Sequence, residues 1–204
     1  GQKLYTPGRD MRLQAIAVEL DLVDPALAGG RRVRERRQRG LGDPGDLYIV
    51  DQLEIGMHVT VPEPVKMGFD DHNGNLYPFS LAQKLERITE HSSWYLADGD
   101  SPWGRPIVPT EMISVIAHRS NVHFPVRGPA VGLFIDLEVR FVDGPVFVDQ
   151  PYLVEHTLVG IGQTKRVESY WTESTITDAA TGAHAATVLL HQGVFKASFA
   201  DYPS

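Results

Sequence analysis

The stretch TEMISVIAHR, Thr110 to Arg119, limits most sharply what this chain can fold into. At helical spacing it is apolar on most of its circumference, through Met112, Ile113, Val115, Ile116 and Ala117. Such a helix must be covered nearly all round. The chain beyond it is extended. GLFIDLEVRFV alternates Ile135, Leu137, Val139 and Phe141 against Asp136, Glu138 and Arg140, which predicts a strand with one wet face. VFVDQPYLVEHTLVGIG, KRVESYWTESTITD and AHAATVLLHQGVFKA are further extended runs, with DGP, GIGQ and AATG as turns between them. Successive strands joined by short turns make an antiparallel meander. Such a meander covers the helix only by curling around it.

Upstream, LYIVDQLEIGMHVTVPEPVKM predicts an early strand with an irregular end, and DDHNGN a turn. SLAQKLERITEH predicts a short amphipathic helix with Ser80 as N-cap and Leu81, Leu85 and Ile88 on one face. Residues 1–46 read as an N-terminal extension, partly helical, because MRLQAIAVELDLV places Leu13, Ile16, Ala17 and Leu20 at helical spacing before Pro and Gly break the pattern. Residues 47–204 then form one α+β domain, an antiparallel sheet wrapped around a central helix. That is the hotdog architecture.

Several function classes are excluded or disfavoured. The absence of cysteine rules out disulfides and thiolate metal sites and fits the reducing cytoplasm. No apolar run is long enough to span a membrane, and the N-terminus lacks a signal-peptide pattern. A net charge of -7 argues against nucleic acid as a partner. RRVRERRQRG, Arg31 to Gly40, opposes that balance; it reads as a solvated face or loop, or as a contact for phosphates such as those of coenzyme A. His58, His72, His118, His123, His156, His184 and His191 are scattered without metal-ligand spacing, so no metal is expected. No nucleophile elbow, phosphate loop or dinucleotide fingerprint occurs, and no cofactor is expected.

LEIGM at Leu53 to Met57, TEHSSWY at Thr89 to Tyr95, WGRPIVPTEM at Trp103 to Met112 and the closing strands resemble the MaoC-like acyl dehydratases, also called type 2 enoyl-CoA hydratases. The likeness covers roughly Tyr48 to Ser198. It implies a hotdog fold and an acyl-CoA or acyl-carrier-protein thioester as substrate. The family carries an Asp/His pair in a loop resembling Gly-Asp-x-Asn-Pro-x-His. Here Glu90 falls at the Asp position and Tyr95 at the His position, while a shift of one residue brings His91 in instead. At the helix start, Thr110 and Glu111 replace the family's His-Gly.

Hydration of an enoyl thioester needs a base, a proton donor and a donor to the thioester carbonyl. Free N–H groups at the start of a buried helix supply the last, aided by the helix dipole. Pro109, Thr110, Glu111 and Met112 stand at that place. Glu90, His91 and Tyr95 are the acid-base candidates, with Asp98 and Asp100 in reserve as turn residues. Glu111 is also a candidate for activating water in a thioesterase, or serves only to complement the helix dipole. Trp94 and Trp103 flank the loop as substrate wall, packing or dimer contact. An open sheet edge predicts pairing, as a homodimer or with a second hotdog subunit. Three readings stay open: a hydratase or dehydratase, a thioesterase, and a non-catalytic acyl-binding subunit.

Overall fold

The computed structural model describes residues 17–19, 45–74, 76–89, 91–119 and 124–203. In chain order the elements are β1 (Ala17–Glu19), β2 (His58–Thr60), α1 (Leu81–Leu85), α2 (Thr110–His118), β3 (Gly132–Phe141), β4 (Tyr152–Gln163), β5 (Val167–Asp178) and β6 (His184–Phe195). They build one sheet in the order β1-β3-β6-β5-β4-β2. Strands β2 to β6 pair antiparallel, and β1 lies parallel to β3 along Glu138 to Arg140. Helix α2 packs across the concave side. Its Met112, Ile113, Val115, Ile116 and Ala117 share one core with Val139, Val154, Ile176, Ala186 and Val188. The alternation read from the sequence sets this arrangement, because each strand turns one row of aliphatic side chains toward the helix. The architecture is the expected hotdog, and the central helix begins and ends within a residue of its predicted limits.

A second core closes the other end of the concave side, where Ile49, Val50 and Leu53 meet Leu158, Ile161 and Val194. Its anchor is polar. Glu168, with no exposed surface, accepts from the backbone amides of Tyr48, Ile49 and Val50 at 3.0, 2.8 and 3.0 Å and from the Tyr202 hydroxyl at 2.9 Å. This bond set corrects the early strand. Amides that would have joined a ladder are spent on one carboxylate instead, so only His58–Thr60 pairs as a strand before Pro62 and Pro64.

Other expectations also need correction. Ala17–Glu19, inside the stretch read as helical, is a strand held by pairing to β3; the rest of that stretch lies outside the described residues. Helix α1 has the predicted Ser80 cap, completed by Gln83 as a capping box, but stops at Leu85. The outer row of β3 is only partly wet: Asp136 and Arg140 are half-buried, while Glu138 keeps 9% of its surface exposed, as does its cross-strand neighbour Leu189. Among the described residues, no helix is long and apolar enough to cross a membrane.

Candidate functional site

The site is built where the chain enters α2. Pro109 is extended (φ -56, ψ 143) and provides no side-chain cap. Its carbonyl takes the Met112 amide at 2.9 Å, which leaves the Thr110 and Glu111 amides without an acceptor among the described residues, at the positive end of the helix dipole. Proline explains this local choice, since it fixes φ and has no side-chain acceptor to occupy those donors. The segment before it is held on both sides. Val108 donates to the Val146 carbonyl at 2.8 Å, Val148 to the Pro106 carbonyl at 3.1 Å, and Ile107 to the Trp94 carbonyl at 2.9 Å.

The loop in front carries most of the side-chain candidates. Ser93–Tyr95 is a single 3-10 turn capped by Ser92. The Ser93 hydroxyl donates to the Asp100 carboxylate, and the Gly99 amide to the Leu96 carbonyl at 3.1 Å. The fit is so close that a Cβ on Gly99 would lie 1.7 Å from the Ser93 carbonyl oxygen. Trp94 meets Trp103 edge-on at 5.6 Å, Trp103 meets Phe147 at 6.4 Å, and the Arg105 guanidinium lies 3.6 Å from the Phe147 ring centre. Both tryptophans stay exposed, so the ladder is an apolar wall at the surface.

The predicted residues fall unevenly around this place. Glu90 lies outside the described residues. His91 is exposed, and Tyr95 is half-buried one residue beyond the Trp94 carbonyl that binds the linker. Pro109 is buried and Thr110 half-buried at the helix start, whereas Met112 points into the core with 2% exposed. The Glu111 carboxylate is engaged by the Lys84 ammonium of α1 at 3.2 Å, and that ammonium also lies 5.9 Å from the Phe79 ring centre. Asp100 holds the loop closed and Asp98 is exposed in it. The structure thus brings together the α2 amides, the Lys84–Glu111 pair and the loop with its tryptophans.

Buried near the linker is Tyr152, whose hydroxyl accepts from the Phe147 amide at 2.8 Å. Burial pushes its phenol above the ordinary value, against the smaller opposing effect of that bond. The sequence pattern gives no sign of this role. Nor does it reveal the polar cluster at the other end of α2. There the His118 Nδ1 donates to the Ser114 carbonyl at 2.8 Å, and the ring stacks on His156 at 5.9 Å. His156 is buried and shares a 2.9 Å bond with the Ser174 hydroxyl. His156 and Ser174 are direct cross-strand partners, so only the β4–β5 register could have revealed the pair. Among the described residues no group of three or more His, Asp or Glu could hold a metal ion.

No protein-family model and no curated protein sequence matches the chain. Solved structures do match. A MaoC-like dehydratase superposes with a TM-score of 0.54 at 16% identity over 74% of this chain, which spans 44% of that larger one. The monoamine oxidase regulatory protein from Archaeoglobus fulgidus gives 0.53 at 14% identity, covering 72% of this chain and 94% of the other. The MaoC-like dehydratase from Rhodospirillum rubrum gives 0.50 at 13% identity, covering 73% and 97%. At these identities the likeness is one of fold, and the fold is that of the MaoC-like hotdog proteins.

Proposed function

We propose that this chain binds an acyl thioester at the start of α2 and acts as a hydratase or dehydratase on an enoyl or 3-hydroxyacyl group. The observation that carries the reading is the side-chain-uncapped start of the buried helix, where the Thr110 and Glu111 amides have no acceptor among the described residues and an aromatic loop is bonded to the linker before them. A thioester carbonyl that gains negative charge toward the transition state is stabilised by such fixed donors, and losing one donor in comparable sites costs about 10²-fold or more. The acid-base work falls to Glu90, His91 and Tyr95, which lie on the segment leading into that loop. The Trp94–Trp103 wall supplies apolar surface for the acyl or pantetheine chain. Neither a cofactor nor a metal is required for this chemistry, and the cysteine-free chain suits the cytoplasm.

A second reading, acyl binding without turnover, draws on one specific observation. His91 is exposed, and Glu111 is already paired with Lys84. Hydrolysis by Glu111 would require that pair to open. The deciding experiment assays a panel of enoyl-CoA, 3-hydroxyacyl-CoA and saturated acyl-CoA thioesters separately for hydration and for thiol release. Hydration lowered about 10²-fold or more by Glu90→Gln, His91→Ala or Tyr95→Phe supports the first reading. Thiol release abolished by Glu111→Gln supports hydrolysis, and saturable binding with no turnover supports the subunit. Pairing of the domain through a sheet edge belongs to the same proposal. A stable monomer in sedimentation at micromolar concentration would contradict it.

A further inference from the structure

A charge at the start of α2 helps the fold but opposes the proposed chemistry. Glu111 stands in the first turn of the helix, where a carboxylate stabilises the positive end of the dipole. The same side chain grows from a residue whose own amide is one of the proposed donors. A thioester oxygen accepting from the Thr110 and Glu111 amides would gain negative charge within a side chain's length of that carboxylate. Like charges about 6 Å apart, at an effective dielectric of about 20, slow such a step by about 10²-fold. Solvent screens the repulsion only in part, because Glu111 Oε1 is shielded from it.

Lys84 answers that charge. Its ammonium lies 3.2 Å from Glu111 Oε1, with both side chains half-buried. Among the described residues neither group has another charged partner. The place of Lys84 is set by its own element rather than by the pair. Helix α1 is fixed by the Ser80–Gln83 capping box, by the fully buried Leu81 and by the Ala82 amide, which donates to the Phe69 carbonyl at 2.8 Å. The Lys84 amide donates to the Ser80 carbonyl at 3.1 Å, and the Lys84 carbonyl accepts from the Arg87 and Ile88 amides at 3.0 Å each. The Phe79 ring centre, 5.9 Å from the ammonium, adds a second attraction that keeps the cation near the helix start. A partly exposed ion pair of this kind adds little to stability, so its removal should not unfold the chain. Its effect on a charge developing beside it is much larger.

Resting on the hydratase reading, we propose that Lys84 is a positioning residue for the reaction: its ammonium neutralises the Glu111 carboxylate and holds it off the Thr110 and Glu111 amides, so that the thioester oxygen can gain charge there. Lys84 itself gives and takes no proton. The test is steady-state hydration of a short-chain enoyl-CoA by the full chain, with a urea midpoint for each variant. Lys84→Met should lower kcat about 10²-fold and change KM by less than about threefold, because the ground-state carbonyl carries no full charge. Lys84→Arg keeps the cation and should lose less than about tenfold. Lys84→Met combined with Glu111→Gln should recover at least about tenfold over Lys84→Met alone, since the charge that needs balancing is gone. Lys84→Gln provides the same comparison should Lys84→Met not fold. A loss that Glu111→Gln does not recover would overturn the proposal by marking a merely structural role, as would a change confined to KM. Full activity in Lys84→Met would overturn it while leaving the hydratase reading in place. A wild-type chain that hydrates no enoyl-CoA would overturn both.

Discussion

Replacing Glu168 by Gln tests the idea that one carboxylate fixes the domain's N-terminal boundary. In the native protein one oxygen takes the Tyr48 amide and the Tyr202 hydroxyl, and the other takes the amides of Ile49 and Val50. A glutamine can keep the second pair if its NH2 replaces the first oxygen. The Tyr202 hydroxyl can then turn to accept, but the Tyr48 amide faces another donor and loses its partner. The remaining bonds lose their charge assistance. An unsatisfied buried donor costs about 1–3 kcal/mol, and two bonds falling from charged to neutral strength cost about 1 kcal/mol each. Relief from burying a charge offsets part of this. The net expectation is a loss of about 2–3 kcal/mol in urea unfolding. Hydrogen exchange adds a local signature: the amides of Tyr48, Ile49 and Val50 should lose protection before those of β5 and β6. Unchanged stability together with unchanged protection at those amides would refute the reasoning, because it would mean that they have other acceptors.

Alkaline pH gives a second handle. Burial pushes the Tyr170 phenol up to about 12, and burial with the neighbouring Glu168 pushes Tyr202 up to about 12. Deprotonation makes the charged form, which the fold disfavours. The stabilisation is therefore complete below pH 10 and disappears as pH rises to about 12; Tyr170 alone contributes at most about 3 kcal/mol, read from urea midpoints across that window. Gly99→Ala should open the Ser93–Asp100 loop, since its Cβ would sit 1.7 Å from the Ser93 carbonyl oxygen. Tryptophan fluorescence should report it through a shift from Trp94 and Trp103 and a drop in acyl-thioester binding, with far-UV circular dichroism unchanged. An unaltered spectrum and affinity would show that the loop does not form the site's front wall.

The central helix and the four long strands were legible because each carries its own periodicity, apolar nearly all round in α2 and alternating in β3. The early strand misled for a reason outside its own residues. Ile49 and Val50 look like strand residues, yet their amides answer to Glu168, more than a hundred positions away. Alternation in β3 likewise assigned Glu138 correctly to the outer row but could not tell whether water or protein lay over it. The site was harder still. The candidate donors at Thr110 and Glu111 followed from the apolar helix and the proline before it, but main chain leaves no signature of what stands in front of it. Lys84 beside Glu111, and Ser174 beside His156, depend on packing and register that a linear pattern does not encode.

The doubly held linker before α2 bears on how such a scaffold could change its substrate. Pro106 and Val108 are bonded to the segment 146–148 between β3 and β4, so the helix start moves only if that segment moves. The rear of the candidate site is a fixed datum. The front, from His91 to Arg105, is a cantilever joined to that datum at Ile107 and braced by Asp100 and Gly99. On the acyl-thioester reading proposed above, longer or bulkier acyl groups would be accommodated by reshaping the cantilever. Insertions and side-chain exchanges there would alter chain-length preference while leaving the polarising amides in place. Selectivity and reactivity would reside in separable pieces of the polypeptide, so that one could drift under selection without dismantling the other.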